Sequence, residues 1–219
     1  MIDYDRYRAI PDLLDRAIAF ATDVHAAVDH RRKYTNEPYI THPLAVAEIV
    51  RRRPHTVAML VAAVLHDTVE DTFATITDIA YLFGIEVALL VAGLTDVGFA
   101  WLGNRSERKA MDRAHTAAAV PGAKTVKCAD CLHNGQDILA NDPHFAVGYF
   151  REIKLLSDDA LEGADPVLLA EVRAMVATHL ERIETEARAR KAERQAAHAA
   201  REAEALARKR AKAAQTQPV

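Results

Sequence analysis

The sequence predicts an all-helical protein that ends in a long Ala/Arg/Glu-rich helix, and three observations carry that prediction. Apolar residues recur at three- and four-residue spacing along most of the chain, which is the period of helices that bury one face. Alternating apolar and polar runs bounded by turn residues, the mark of strands, are missing. From Pro166 onward the composition shifts to Ala, Glu, Arg and Lys, all strong helix formers.

Taken in chain order, Pro11 suits a first-turn position and opens a helix over 11–30, with Leu14, Ile18, Ala21 and His25 on one face. A polar loop over 31–41 leads to His42-Pro43, where Pro43 can begin a second helix running to 52. Residues 56–69 are almost wholly apolar until His66, which predicts a buried central helix. Two shorter helices, 77–83 and 86–94, are separated by Gly84, a residue suited to the position just past a helix end. Gly98 and Gly103 mark a loop over 96–105 that carries the only tryptophan, Trp101; long loops in compact domains are often functional. Helices resume over 106–118, stop at Pro121-Gly122, and continue over 124–139 and 143–161.

The last helix is expected over 166–214. Leu168, Leu169, Val172, Val176 and Leu180 give its first half an apolar stripe able to dock on the body, whereas beyond Ile183 the stripe is mostly Ala. No sustained heptad of large residues is present, so the distal half reads equally as a solvated helix and as a weak self-association helix. This divides the chain into a domain over 1–165 and an appendage over 166–219.

The chain has 219 residues, 28 Lys/Arg and 31 Asp/Glu, for a net charge of -3. The near balance hides an asymmetry. Residues 182–212 hold ten Lys/Arg against five Glu, leaving 18 basic and 26 acidic residues elsewhere. Only the tail could attract nucleic acid or an acidic surface, and it lacks the interleaved aromatics that single-strand binding uses. Nucleic acid is therefore not the expected partner. The first six residues lack a basic region followed by an apolar run, and no apolar stretch approaches bilayer-spanning length, so a cytoplasmic location without membrane contact is expected. Cys128 and Cys131 are the only cysteines. Two thiols three apart within a helix, with no second pair, read as core or surface thiols rather than a zinc or redox motif.

The central chemical feature is His66-Asp67-Thr68-Val69-Glu70-Asp71-Thr72, at the end of the most apolar helix. Ionisable side chains placed there need a compensating charge, and a divalent cation is the simplest one. Neighbouring helical residues diverge by about 100°, so His66 and Asp67 can share a cation only from a helix end or groove. Taken alone, the dipeptide reads more readily as a helix end with a satisfied histidine and solvated carboxylates. Two further clusters bear on it. His42 lies at a helix entry, and Asp130 is a carboxylate inside the half-apolar segment Lys127-Cys128-Ala129-Asp130-Cys131-Leu132-His133-Asn134. Two imidazoles and two carboxylates suit Mn²⁺, Fe²⁺ or Zn²⁺ and leave positions open, which is what metal-assisted hydrolysis requires. Among the remaining histidines, His133 adjoins this cluster most closely in sequence.

Three ordered blocks resemble the HD-domain hydrolases of the RelA/SpoT homologues: Arg32-Lys33 with Glu37-Pro38-Tyr39-Ile40-Thr41-His42-Pro43, the 66–72 block, and Val126 through Asn134. The similarity covers about residues 17–139, and the absence of a following synthetase domain resembles the small stand-alone members. The resemblance implies an HD-domain helical bundle that removes the 3′-pyrophosphate from guanosine tetra- and pentaphosphate, the nucleotides of the stringent response. It implies Mn²⁺ on His42, His66, Asp67 and Asp130, with Glu70 and Asp71 handling the attacking water. Arg32 and Lys33 would meet phosphate or base, and Asn134 the nucleoside. Two differences stand out: Tyr34-Thr35-Asn36 lacks the glycine typical of bacterial members, and Cys128 and Cys131 replace a leucine and, commonly, an arginine. Two other readings stay open. One is the same chemistry on another phosphorylated nucleotide, such as a 2′-phosphorylated dinucleotide or a pyrophosphorylated RNA end. The other is a binding or regulatory module that keeps the metal site without turnover.

Overall fold

A computed structural model describes residues 2–215, and among these it contains helices joined by turns, with no strand beyond an isolated bridge between Arg31 and Pro38. The helices are α1 (Tyr4–Arg8), α2 (Leu13–Ala27), α3 (Thr41–Arg51), α4 (Val57–Leu65), α5 (Thr68–Asp71) and α6 (Ile76–Phe83). They continue with α7 (Ile85–Leu94), α8 (Arg105–Ala118), α9 (Pro121–Asn141), α10 (Pro143–Asp159) and α11 (Pro166–Gln215). A single 3-10 turn, Ala100–Leu102, interrupts the loop before α8.

The all-helical expectation therefore holds, and the differences lie at helix ends. α2 starts at Leu13 because Asp12 accepts hydrogen bonds from the Leu14 and Asp15 N–H groups; Pro11 lies outside it. α1 was not foreseen, being a five-residue helix too short to show a period. Side-chain caps fix other starts: Thr56 for α4, Thr75 with Asp78 for α6, Asn104 with Glu107 for α8, and Asp142 for α10. Each satisfies backbone donors that a helix start leaves free. Pro121 does not stop a helix but occupies the first turn of α9, where its missing N–H costs nothing.

α4 is the central helix. Val61, Ala62, Ala63, Val64 and Leu65 are fully buried, and α4 packs against α2, α3, α7 and α9. The segment expected to be one helix over 56–69 is broken. α4 ends at Leu65, whose carbonyl accepts the Thr68 hydroxyl at 2.7 Å, and the chain resumes as α5 after a turn at His66-Asp67. A polar break at the end of an apolar helix is what positions the site.

Gly84 joins α6 to α7 with φ +91° and ψ 165°, a conformation open almost only to glycine. A Cβ there would meet no atom within 4 Å, so backbone strain alone opposes substitution. Gly84→Ala is expected to lower stability by about 1–3 kcal/mol, read as a lower urea midpoint at unchanged slope.

The compact unit runs from Met1 to Val176 and includes the start of α11. Leu168, Leu169, Val172 and Val176 are buried within it, and Asp165 caps this helix through the Val167 and Leu168 N–H groups while pairing with Arg53 at 2.9 Å. The second unit begins at Ala177, and its described residues are the remainder of α11, to Gln215. Its residues 184–205 are exposed, and Glu184–Arg188, Glu186–Arg190 and Glu204–Arg208 form i,i+4 pairs along it, the means by which a polar helix supports itself in water.

Candidate metal centre

Four elements converge on one point. His42 enters from the first turn of α3, His66 and Asp67 from the break between α4 and α5, and Asp130 from the middle of α9. His42 and His66 are buried, with side chains 0% and 2% exposed, and Asp67 and Asp130 are nearly so. His66 Nε2 lies 2.9 Å from Asp67 Oδ2 and 3.7 Å from Asp130 Oδ1. His42 Nε2 lies 3.2 Å from Asp130 Oδ1 and 3.6 Å from Asp67 Oδ2. Ligand atoms of His42, His66 and Asp67 all fall within 4.8 Å of one another, and Asp130 closes the set from α9.

The tautomers make this arrangement directional. His66 Nδ1 is 2.8 Å from the Ala63 carbonyl, an acceptor only, so Nδ1 carries the proton and Nε2 presents a lone pair inward. His42 Nδ1 faces His133 Nδ1 at 2.8 Å, which leaves its Nε2 pointing at the carboxylates. Both Nε2 atoms are buried and make no hydrogen bond. Two inward-facing Nε2 atoms and two carboxylates form a set of ligand atoms suited to a cation, and a buried cluster of this kind is costly unless a cation completes it. Burial works against charging His66, but Asp67 and Asp130 outweigh it and hold the imidazole well above its ordinary value. Burial likewise opposes the ionisation of Asp67, yet His66 holds its carboxyl far below the usual range. For Asp130 the opposing burial is overcome by Lys127 and the two imidazoles, which hold it well below that range. The donor set fits a divalent transition ion.

Both carboxylates also have hydrogen-bond or ion-pair partners outside the imidazole pair. The Tyr39 hydroxyl donates to Asp67 Oδ2 at 2.6 Å, and burial together with that carboxylate holds the phenol far above its usual pKa. Asn134 Nδ2 donates to Asp130 Oδ1 at 2.7 Å, and Lys127 Nζ lies 3.2 Å from Asp130 Oδ2.

Beside the cluster opens a cavity of about 350 Å³, in the range of small-molecule sites. Asp67, Glu70, Asp71 and Asp130 line one end; Arg105, Lys109, Arg113 and Lys127 bring cations, and Tyr149 and Phe145 add aromatic surface. Glu70 Oε1 accepts the Asp96 N–H at 2.6 Å. Burial pushes its carboxyl up to about 7, against the pull of Lys127. Asp71 is also raised, by burial and then by Asp67.

The residues expected to contact substrate are placed less simply. Asn134 lines the cavity but uses its amide nitrogen on Asp130 and its oxygen on Arg32. Arg32 is largely buried and bonds Asn134 and Asp137. Lys33 is exposed and pairs with Asp142 at 3.1 Å. Arg32 and Lys33 line an open depression with His30 and Arg31, which shares only Asp71 with the main cavity. Lys127 and Tyr39 were missed as site residues although both lie inside the quoted blocks. The spacing of Lys127, three before Asp130 on one helix face, was the available signal; nothing in sequence marks a tyrosine hydroxyl as aimed at a carboxylate 28 residues later. Cys128 and Cys131 are buried thiols, as their place in a helix suggested, and burial raises both.

Known proteins resemble the chain over the region that carries this site. The HD-domain family pattern matches residues 17–142. A probable GTP pyrophosphokinase of Mycobacterium leprae is 42% identical over 123 residues, covering 56% of this chain and 15% of that protein. The guanosine-3′,5′-bis(diphosphate) 3′-pyrophosphohydrolase MESH1 of Xenopus tropicalis is 38% identical over 128 residues, 58% of this chain and 69% of the relative. A solved structure of a metazoan orthologue of SpoT, reported to hydrolyse ppGpp and to play a role in starvation responses, superposes with a TM-score of 0.66. Its identity is 29%, over 76% of this chain and 94% of that one. The chain thus spans under a fifth of the M. leprae protein and about two thirds of the MESH1 relative. With its pattern matched over more than half its length, the chain belongs to the HD-domain family, in the group that includes the guanosine-3′,5′-bis(diphosphate) 3′-pyrophosphohydrolases.

Proposed function

We propose that the chain is a metal-dependent phosphohydrolase that removes the 3′-pyrophosphate of guanosine tetra- or pentaphosphate, giving GDP or GTP and pyrophosphate. The observation that carries this reading is the pair of buried, unbonded imidazole Nε2 atoms facing Asp67 and Asp130 beside a cavity that also holds cations. His42, His66, Asp67 and Asp130 would hold Mn²⁺ or a similar divalent ion. Such an ion supplies Lewis acidity toward a water and a phosphoryl oxygen. Glu70, near neutral in its pKa and at the cavity wall, accepts the proton of the attacking water. Asp71, one residue on, orients it. Lys127 and the α8 cations line the cavity where phosphate charge would lie, Arg105 paired with Glu152 and Lys109 with Asp96 and Asp112, and Arg32 and Lys33 would approach the nucleotide from the neighbouring depression. The names of the relatives support the substrate class. A cytoplasmic location accords with the lack, among the described residues, of any helix long and apolar enough to cross a membrane.

One observation favours a second reading. Asn134 and Arg32 are tied up internally, which loosens the expected guanosine contacts and leaves room for another phosphorylated nucleotide, such as a 2′-phosphorylated dinucleotide or a pyrophosphorylated RNA end. A panel of these three substrates, assayed before and after chelation and on Mn²⁺ add-back, decides between the readings. Pyrophosphate release from ppGpp is expected to vanish with chelator and return with Mn²⁺. Release from another substrate alone moves the assignment there, and metal binding with no turnover makes the chain a binding module.

A further inference from the structure

Asp67 is the candidate ligand least held by its own backbone. It sits in the turn between α4 and α5, and its side chain, 17% exposed, is the most open of the four. A carboxylate turns about its last bond through a broad, two-fold well, so something must choose the oxygen it presents. The oxygen facing both imidazoles, Oδ2, is the one that accepts the Tyr39 hydroxyl. Tyr39 is itself fixed. Its ring stacks on His30 at 3.6 Å and 15°, the Arg32 guanidinium lies over it at 5.7 Å, and its N–H donates to the His30 carbonyl at 3.2 Å. The hydroxyl is thus anchored from outside the cluster, and the carboxylate follows it.

We infer that Tyr39 is a positioning residue of the metal centre: its hydroxyl sets the orientation of Asp67 and thereby the affinity for the divalent ion. The inference rests on reading the four side chains as a metal site. Partners of this kind, one bond removed from the ion, are worth about 10–100-fold in affinity. The ring stack is separable from the hydroxyl, because phenylalanine keeps the first and loses the second.

Isothermal titration of metal-stripped wild type and Tyr39→Phe with Mn²⁺ tests this. The expected result is an affinity about 10–100-fold weaker in the variant, with an unchanged melting temperature in chelator. Should Tyr39→Phe fold poorly, His30→Leu, which leaves the hydroxyl but removes the stack, is expected to weaken Mn²⁺ binding by a smaller factor. Equal affinity in wild type and variant overturns the inference while leaving the metal centre intact. A wild-type chain that takes up no Mn²⁺ overturns the metal reading, and this inference with it.

Discussion

His66→Asn is expected to lower kcat/KM by about 10³-fold or more and to abolish tight metal binding. The estimate follows from a metal's contribution of several kcal/mol to phosphoryl chemistry at about 1.4 kcal/mol per decade. Asparagine is chosen because the two functions of His66 lie on different nitrogens. Nδ1 satisfies the Ala63 carbonyl and Nε2 faces the carboxylates. An asparagine amide can still donate to that carbonyl, so the buried acceptor is not orphaned at a cost of about 1–3 kcal/mol, whereas nothing replaces Nε2. Activity and metal content should therefore fall together, and the metal-free chain should lose some stability, because Asp67 and Asp130 lose the imidazole that favours their charged forms, but less than in His66→Ala. His66→Ala, which removes both functions, should lose activity equally and more stability. A His66→Asn enzyme within tenfold of wild type would show that Nε2 holds no ion.

Glu70→Gln is the second large effect and separates proton transfer from metal holding. Removing a general base costs about 10²–10⁴ in rate, and glutamine keeps the acceptor oxygen that receives the Asp96 N–H. We expect kcat to fall by that amount with Mn²⁺ affinity and KM little changed. Glu70 must be ionised to take a proton, and burial lifts its pKa from 4.5 to about 7, so kcat/KM should fall as pH drops through the interval between those values. A bound cation draws the limb toward the lower end. The variant should lose that acid limb. A wild-type profile flat across the interval would assign the base elsewhere.

Much of this was legible in the sequence because it depends on local rules. Three- and four-residue periodicity identified the helices from α2 onward other than α5, the apolar run at 56–69 marked the central one, and the resemblance of the three blocks to a known family pointed to His42, His66, Asp67 and Asp130. What failed did so for equally local reasons. α1 is too short to carry a period, and a helix expected to run through 66–69 was read from apolar content, which does not register a side-chain bond such as Thr68 to the Leu65 carbonyl.

Sequence by itself determined the fold class, which follows from residue type and spacing along the chain, and pointed to the proposed donor set through the resemblance of three ordered blocks to a known family. Tertiary structure decided how those donors are presented. The break after Leu65 lets His66 and Asp67 share one point although adjacent helical residues diverge. The Ala63 carbonyl and His133 direct both Nε2 atoms inward, and Tyr39 reaches Asp67 across 28 residues. The His133 and Tyr39 contacts join elements distant in sequence. They are fixed by the packing of α3, α4 and α9, and no pattern along a single segment encodes them. The metal centre the spacing suggested thus owes its composition to the sequence and its directionality to the fold.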